Sequence, residues 1–181
     1  MKQQINCVWP LLLMFFLSSC STRNEKETTI VNSIQLENSI LSLSKEAVGL
    51  QVPWDLQYDH VNRTILFSEI GGSIRRLDIQ TKKISLVDSL KDVYHQRTLG
   101  LLGMSLYQPE NEQAYLYLSY TSKRDRLIFS NLYRYDYSSE GKLSNPKLLL
   151  QIPGNTGHNG SRVIVSTDKK VYWATGDAAS D

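Results

Sequence analysis

The chain has 181 residues, which is long enough for one ordinary domain with a hydrophobic core. Its 20 Lys and Arg and 18 Asp and Glu residues give a formal net charge of +2, so it lacks the massed positive charge of a nucleic-acid-binding protein. The densest basic cluster, Lys123-Arg124-Asp125-Arg126, is predicted to be a solvated hairpin loop between Tyr120 and Leu127.

Residues 1–19 have the pattern of a secretory signal peptide. Lys2 precedes an apolar run at residues 8–17, which is too short to span a bilayer as a mature helix but suits the core of a signal. The run ends in Leu17-Ser18-Ser19-Cys20, which resembles a bacterial lipobox, the motif whose cysteine becomes lipidated. A plain secretory signal followed by an incidental cysteine is the alternative.

Lipidation of Cys20 would anchor the protein to a membrane of the cell envelope. One acyl chain binds membranes only marginally, whereas several chains on one cysteine hold a protein at the surface. The other cysteine, Cys7, lies in the segment that would be removed, so the mature chain would contain no disulfide. We therefore predict a membrane-anchored lipoprotein that faces the periplasm or the cell exterior.

The composition of the chain changes after the signal peptide. Residues 20–48 are rich in Ser, Thr, Asn and Glu and are predicted to form a polar tether. The apolar positions between Ile30 and Leu43 would also suit a short amphipathic stretch or a first strand. From Gly49 onward, β-branched and aromatic runs alternate with turn residues, which predicts an all-β domain over residues 49–181.

The β domain is predicted to consist of short antiparallel strands without a long helix. Gly71-Gly72 and Asp168-Lys169 are the clearest hairpin turns. The predicted strands span residues 54–58, 64–69, 73–78, 83–87, 101–107, 114–120, 127–137, 147–151, 162–165 and 171–175. Such strands fit two four-stranded blades of a β-propeller and the opening of a third, with a β-sandwich as the alternative.

The best candidate for chemistry is the pair His158 and Asp177. His158 opens the run His158-Asn159-Gly160-Ser161-Arg162, which leads into a predicted hairpin, and Asp177 follows the second strand of that hairpin. An imidazole can take a proton and a carboxylate can hold its tautomer, so the pair has the parts of an oriented general base. A solvated loop histidine beside an ordinary Gly-Asp turn is the alternative.

Three segments, in this order, carry a resemblance to a known family. They are Val52-Pro53-Trp54-Asp55-Leu56, Gly100-Leu101-Leu102-Gly103-Met104, and the stretch from His158 through Tyr172 to Gly176-Asp177. Residues 52–181 resemble the N-terminal part of the sugar dehydrogenases that depend on pyrroloquinoline quinone, the glucose/sorbosone or soluble aldose dehydrogenase family. The resemblance implies a six-bladed propeller, of which two to three blades are present, and hence the N-terminal part of a longer protein.

The resemblance also implies roles for single residues. His158 would remove the proton from the anomeric hydroxyl of an aldose while hydride passes to the quinone and a lactone forms, and Asp177 would hydrogen-bond this base. A side chain that touches the cofactor, often Gln, precedes Gly-Leu-Leu-Gly in the family. Strict spacing places Thr98 there, and Gln96 lies two residues earlier, where an ordinary solvated Gln is an equally good interpretation.

The remaining expectations concern cofactors and partners. The family's other cofactor-clamping residues and its calcium site belong to later blades, so no metal ligand is assigned in this chain. An aldose sugar and an electron acceptor are the expected partners, besides the membrane. One alternative is a non-catalytic propeller that binds a glycan or a protein. Another is a lipoprotein with a structural role in the envelope, which would leave His158 and Asp177 far apart.

Overall fold

The structure is a computed structural model that describes the backbone of residues 28–178 and the side chains of residues 33–178. Every regular element in this range is a β-strand, twelve in all, which confirms the predicted all-β class. Among these residues there is no helix of the length and apolarity needed to cross a membrane. The predicted signal peptide and Cys20 lie outside the described residues.

The chain divides into two compact units between Lys45 and Glu46. In the first unit, β1 (Thr28–Gln35) and β2 (Ile40–Lys45) form an antiparallel hairpin with two irregularities in its register. A polar tether was predicted here, with a first strand as the alternative, and residues 28–45 form paired strands instead. The tether stays a prediction for residues 20–27, which lie outside the described residues.

The second unit begins with a four-stranded antiparallel sheet. Its strands are β3 (Pro53–Asp59), β4 (Thr64–Glu69), β5 (Ser73–Asp78) and β6 (Ile84–Ser89), in that spatial order. The predicted hairpin at Gly71-Gly72 joins β4 to β5, and the N–H of Gly72 donates to the carbonyl of Glu69 at 2.9 Å. Gly72 has a φ of 107°, a conformation that side-chain-bearing residues rarely adopt.

A second four-stranded sheet follows with the same sequential order. It contains β7 (Leu101–Tyr107), β8 (Ala114–Arg124), β9 (Leu127–Tyr137) and β10 (Leu143–Pro153). The cluster Lys123-Arg124-Asp125-Arg126 lies at a solvent-exposed hairpin as predicted, but the loop is shorter than predicted, because β8 continues to Arg124, which pairs directly with Leu127. Asp125 adopts a left-handed φ of 56°, so Asp125 and Arg126 suffice to reverse the chain.

The last two strands form a hairpin that opens a third sheet. They are β11 (Arg162–Val165) and β12 (Val171–Ala174), and their register pairs Arg162 with Ala174. The predicted turn at Asp168-Lys169 joins them, with Lys169 in the left-handed region at a φ of 64°. The three sheets therefore appear in chain order as two complete blades and one partial blade.

The core lies between successive sheets. The larger cluster joins the first sheet to the second, and its buried members are Leu66, Ile74, Leu101, Met104, Leu116, Leu118, Tyr120, Tyr135 and Tyr137. A smaller cluster of Tyr117, Leu132 and Val163 joins the second sheet to the third hairpin. The second sheet thus packs against the first sheet on one face and against the last hairpin on the other, as a blade inside a propeller does.

The first strands of the three sheets lie side by side, since β7 contacts both β3 and β11. Side chains of β3 hydrogen-bond to successively later positions of β7: Asp55 accepts from the N–H of Met104, and Gln57 accepts from the N–H of Leu106. The two strands therefore run in the same direction. The loops that precede β7 and β11 emerge at one end of the sheets, where the candidate residues are found.

Candidate active site

The three segments that suggested a family meet at one buried carboxylate, Asp55. One of its oxygens accepts a hydrogen bond from the N–H of Met104 at 2.9 Å, and the other lies 3.2 Å from Nη1 of Arg162. The carboxylate also accepts from the N–H of Leu56 at 2.8 Å. The side chain of Asp55 is only 4% exposed, so these donors replace the water that a buried carboxylate would lose. Asp55 therefore joins β3, β7 and β11.

Arg162, the first residue of β11, is the side-chain cation that contacts Asp55. Its guanidinium contacts Asp55 but is itself 62% exposed. It therefore ties the start of β11 to β3 while its outer edge stays in solvent. Sequence reasoning quoted Asp55 within a motif and assigned it no role, and no signal in the sequence marked it, because its partners lie 49 and 107 positions away.

The two glycines of Gly-Leu-Leu-Gly allow close approach between sheets. A Cβ on Gly100 would lie 2.0 Å from the carbonyl oxygen of Ile70, and Gly100 has a φ of 153°. A Cβ on Gly103 would lie 2.7 Å from Oγ of Ser161, at the start of the third sheet. Neither position admits a side chain, because the obstacle at Gly100 is backbone and the one at Gly103 is a short side chain close to β11.

The loop that carries His158 is built around the buried side chain of Asn159, which is 2% exposed. The Asn159 amide group donates to the carbonyls of Asn155 and Gly157, at 2.6 and 2.9 Å, and its oxygen accepts from the N–H of Asn155 at 3.0 Å. Ser130 of β9 donates to the same oxygen at 3.3 Å. These bonds give the loop a fixed shape without regular secondary structure.

His158 and Asp177 are adjacent in space. Nδ1 of His158 lies 3.1 Å from Oδ1 of Asp177. Both side chains are open to solvent, with 71% and 64% exposed. The backbone holds the two segments together as well: Gly176 donates to the carbonyl of Asn159, and Ala178 donates to the carbonyl of His158, both at 3.1 Å. The two side chains are therefore paired as predicted. A lipoprotein with a purely structural role was expected to leave them far apart.

Close packing fixes the backbone around this pair. A Cβ on Gly176 would lie 1.9 Å from the carbonyl oxygen of His158, so a side chain at this position would push the two segments apart. His158 itself has a left-handed φ of 51°. Asp125 and Lys169 adopt the same backbone region in hairpin turns, so this conformation by itself does not mark a functional position.

Gln96 and Thr98 lie in the loop before β7. Both side chains are exposed. Gln96 and Leu99 form an isolated backbone bridge, and the Tyr94 hydroxyl donates to Oε1 of Gln96 at 2.6 Å. No described hydrogen bond connects either residue to His158 or Asp177. Their proposed contact with a cofactor stays a prediction.

No metal site can be assigned to this end of the molecule. Within residues 28–178, no three His, Cys, Asp or Glu side chains are placed to hold a metal ion together. What the arrangement does offer is an imidazole with one nitrogen beside a carboxylate and the other free for a ligand. This is the geometry of a base whose tautomer is held by its partner.

The fold and the three converging motifs define an arc of propeller blades with an open polar site at one end. The family described as Glucose / Sorbosone dehydrogenase matches residues 50–181. The chain therefore belongs to this family, whose members are sugar dehydrogenases that depend on pyrroloquinoline quinone.

Named relatives agree with this assignment. The chain is 23% identical over 139 residues to the quinoprotein glucose dehydrogenase B of Acinetobacter calcoaceticus, an alignment that covers 71% of this chain and 29% of that protein. Its fold is similar to the aldose sugar dehydrogenase of Streptomyces coelicolor, solved in its form bound to pyrroloquinoline quinone. That comparison has a TM-score of 0.68 and 26% identity, and it covers 78% of this chain and 43% of the other.

A more distant structure supports the fold alone. The soluble aldose sugar dehydrogenase of Escherichia coli, in its apo form, gives a TM-score of 0.62 at 22% identity, covering 72% of this chain and 39% of that one. The chain thus spans less than half the length of each of these relatives.

Proposed function

We propose that this chain is the N-terminal part of a dehydrogenase that oxidises the anomeric carbon of an aldose to a lactone with pyrroloquinoline quinone. The observation that carries the proposal is the contact between Nδ1 of His158 and Oδ1 of Asp177, at 3.1 Å and open to solvent. It lies in a chain that belongs to a family of such enzymes.

His158 is the general base in this proposal. With a proton on Nδ1 donated to Asp177, the second ring nitrogen, Nε2, carries the lone pair that accepts the proton of the anomeric hydroxyl. Asp177 holds this tautomer and stabilises the imidazolium that forms. The C–H bond of the anomeric carbon breaks, its oxygen becomes a carbonyl, and the quinone, when bound, supplies the acceptor for the hydride.

The residues of this chain suit one side of such a cofactor. His158 and Asp177 are exposed at the end of the sheets, so a flat ligand can lie against them, and no described side chain covers the pair. The amide of Gln96 and the hydroxyl of Thr98 are exposed donors in the loop before β7. By resemblance to the family, the cations that balance the cofactor's carboxylates, and its calcium, are proposed to come from further blades.

The test is turnover of the full-length protein loaded with pyrroloquinoline quinone, with an aldose and a dye as electron acceptor. His158→Ala is expected to lower kcat by about 10²-fold or more, because the general base is lost. Asp177→Asn is expected to lower kcat less, because the imidazole stays in place. His60→Ala is the matched control, since His60 is an exposed histidine in the turn between β3 and β4.

Binding of the quinone, followed by its absorbance, separates catalysis from assembly of the site. Unchanged binding with lost turnover in His158→Ala supports the general base. Undiminished turnover in that variant removes His158 from the mechanism. A full-length protein that binds a glycan but shows no quinone-dependent turnover with any aldose would instead be a non-catalytic propeller.

We also propose that Cys20 carries lipid and anchors the protein to the cell envelope. The support is the sequence Leu17-Ser18-Ser19-Cys20 after an apolar run that suits a signal peptide. Cys20→Ala should abolish partitioning into the membrane, because the acyl chains supply the anchoring free energy. Incorporation of labelled fatty acid into the Ala variant at the level of the original protein would refute lipidation at Cys20.

A further inference from the structure

A cavity of about 670 Å³ opens on the second blade, and neither His158 nor Asp177 lines it. Its walls come from the loop after β6, the β8–β9 hairpin and the outer strand β10. The lining residues are Lys91, Asp92, Val93, Tyr94, Ser122, Lys123, Arg124, Asn131, Tyr133, Leu148 and Gln151. This volume lies within the range of about 300–1,000 Å³ that is typical of sites for small ligands.

The loop that forms one wall is held by specific bonds. The N–H of Tyr94 donates to the carbonyl of Thr121 at 2.7 Å, and the Thr121 hydroxyl donates back to the carbonyl of Tyr94 at 2.8 Å. The hydroxyl of Tyr120 donates to Oδ2 of Asp92 at 2.8 Å. A ligand would therefore meet a wall that is already formed, which lowers the entropy lost on binding.

The cavity carries an excess of positive charge. Lys91, Lys123 and Arg124 line it, and within residues 33–178 none of the three forms an ion pair with a carboxylate. The one acidic lining residue, Asp92, already accepts the bond from Tyr120. Three unpaired cations around one concave surface attract an anion.

The neutral lining suits a ligand with hydroxyl groups and an apolar face. Nζ of Lys123 lies 4.9 Å from the centre of the Tyr94 ring, so charge and aromatic surface are presented together. The Tyr133 ring stacks on Tyr120 at 5.1 Å, which fixes its orientation. Nε2 of Gln151 donates to Oδ1 of Asn131 at 2.7 Å, which leaves the side-chain oxygen of Gln151, Oε1, for a ligand hydroxyl.

We propose that this cavity binds a carboxylated saccharide of the uronic acid type. The three cations pair with the carboxylate, Gln151 and Ser122 bond to hydroxyls, and the C–H face of the sugar ring packs on an aromatic wall. A neutral sugar would leave the cations without a partner, and a bare inorganic anion would leave the aromatic wall unused. The cavity shares no residue with the proposed catalytic pair, so the proposal does not depend on dehydrogenase activity.

Calorimetric titration of the purified full-length protein with digalacturonate tests the proposal. The neutral disaccharide of galactose and inorganic phosphate are titrated in parallel. Saturable binding of digalacturonate, at least tenfold tighter than either comparison ligand, is expected, which corresponds to a difference of about 1.4 kcal/mol. The affinity should fall as salt is added, because the cations are exposed.

Substitutions locate the site. Lys123→Ala and Tyr94→Ala should each weaken digalacturonate binding at least fivefold. Lys123→Arg should retain most of the affinity, because arginine keeps the positive charge and can contact the Tyr94 ring. Lys147→Ala, an exposed lysine of β10 outside the lining, should change nothing.

Three results would overturn the proposal. They are an absence of digalacturonate binding, equal affinity for the neutral disaccharide or for phosphate, and equal weakening by Lys147→Ala and Lys123→Ala. The first would leave the cavity without this ligand, the second would indicate an unspecific sugar or anion site, and the third would indicate attraction by overall charge.

Discussion

The carboxylate of Asp55 in the first sheet lies 3.2 Å from the guanidinium of Arg162 in the third, across a separation of 107 positions in the chain. Between them lies β7, whose Met104 N–H donates to the same carboxylate. The three motifs of this family are therefore parts of one contact. Arg162 is the first residue of the strand that follows the His158 loop, so this contact lies where the loop ends.

Asp55→Ala should destabilise the protein far more than Arg162→Ala. Removal of the carboxylate leaves the buried N–H of Met104 and the N–H of Leu56 without acceptors, at about 1–3 kcal/mol each. Removal of the guanidinium, which is 62% exposed, should cost less, because the two N–H donors to Asp55 stay in place and water can replace the outer contact. Urea unfolding of both variants measures the difference. Equal losses would mean that the ion pair, and not the backbone hydrogen bonds, accounts for the role of Asp55.

Gly176→Ala should displace the loop that carries His158, whereas Gly157→Ala should be tolerated. A Cβ on Gly176 meets the His158 carbonyl oxygen at 1.9 Å, while a Cβ on Gly157, in the same loop, has nothing within 4 Å. Turnover of Gly176→Ala should fall by about 10²-fold, as expected when a reacting group is misplaced by about 1 Å. Thermal unfolding and kcat are measured for both variants. Similar kcat values for the two would show that the position of His158 does not depend on this contact.

Asp59 should make the stability of the protein sensitive to acid. Burial acts to raise the pKa of its carboxyl, but hydrogen bonds from the Tyr137 hydroxyl, Asn62 and Gln108 outweigh burial and hold the pKa below its ordinary value. A pKa that is lowered in the folded state stabilises the protein at neutral pH. That contribution is lost as the pH falls through the lowered pKa.

Tyr137→Phe tests this contribution, because the Tyr137 hydroxyl donates to Oδ2 of Asp59 at 2.6 Å. The substitution should reduce the unfolding free energy at pH 7 by about 1.5–3 kcal/mol and flatten its acid dependence. Tyr58→Phe is the control, since Tyr58 lies next to Asp59 on β3 and its side chain is 56% exposed. Urea unfolding at intervals of about one pH unit, from about pH 3 to about pH 7, measures both variants. If the unfolding free energy of Tyr137→Phe depended on pH as steeply as that of the original protein, Asp59 would not be the source of the acid sensitivity.

Residues 20–181 expressed alone should aggregate and should bind pyrroloquinoline quinone only weakly. Trp54, Leu56 and Tyr58 of β3 alternate with the residues that bond to β7 and are 41%, 63% and 56% exposed. At the other end of the arc, Ile164 and Tyr172 pair across the β11–β12 hairpin and are 51% and 57% exposed. Apolar faces of this kind cause association unless another element covers them.

Light scattering and calorimetric titration with quinone and calcium test this prediction. Replacement of Leu56 and Tyr172 by Lys should reduce aggregation of the isolated segment, whereas replacement of the exposed Gln80 should not. Saturable micromolar binding of the quinone by residues 20–181, or quinone-dependent reduction of a dye, would contradict the prediction. It would show that these residues form a sufficient cofactor site without further blades.

Local features of the fold were accessible from the sequence. The alternation of apolar residues and the turn residues at Gly71-Gly72 and Asp168-Lys169 predicted the strands of all three sheets to within a few residues at most ends. The larger errors concern β8 and β10, which extend beyond their predicted ends. Most of their extra residues are polar or exposed, with Leu143 and Ile152 the partly buried apolar exceptions. Their pairing therefore depends mainly on the partner strand β9 and leaves little periodic signal.

The sequence by itself determined that a hairpin separates His158 from Asp177, and it thereby predicted that they lie close together, because an antiparallel hairpin brings the residues before its first strand next to those after its second. Only the tertiary structure decided which side chains join separate sheets: Asp55 to Met104 and Arg162, and Tyr137 to Asp59. The physical reason is sequence separation. A hairpin contact follows from local turn chemistry, whereas a buried carboxylate gains its donors only after strands far apart in the chain have packed against each other.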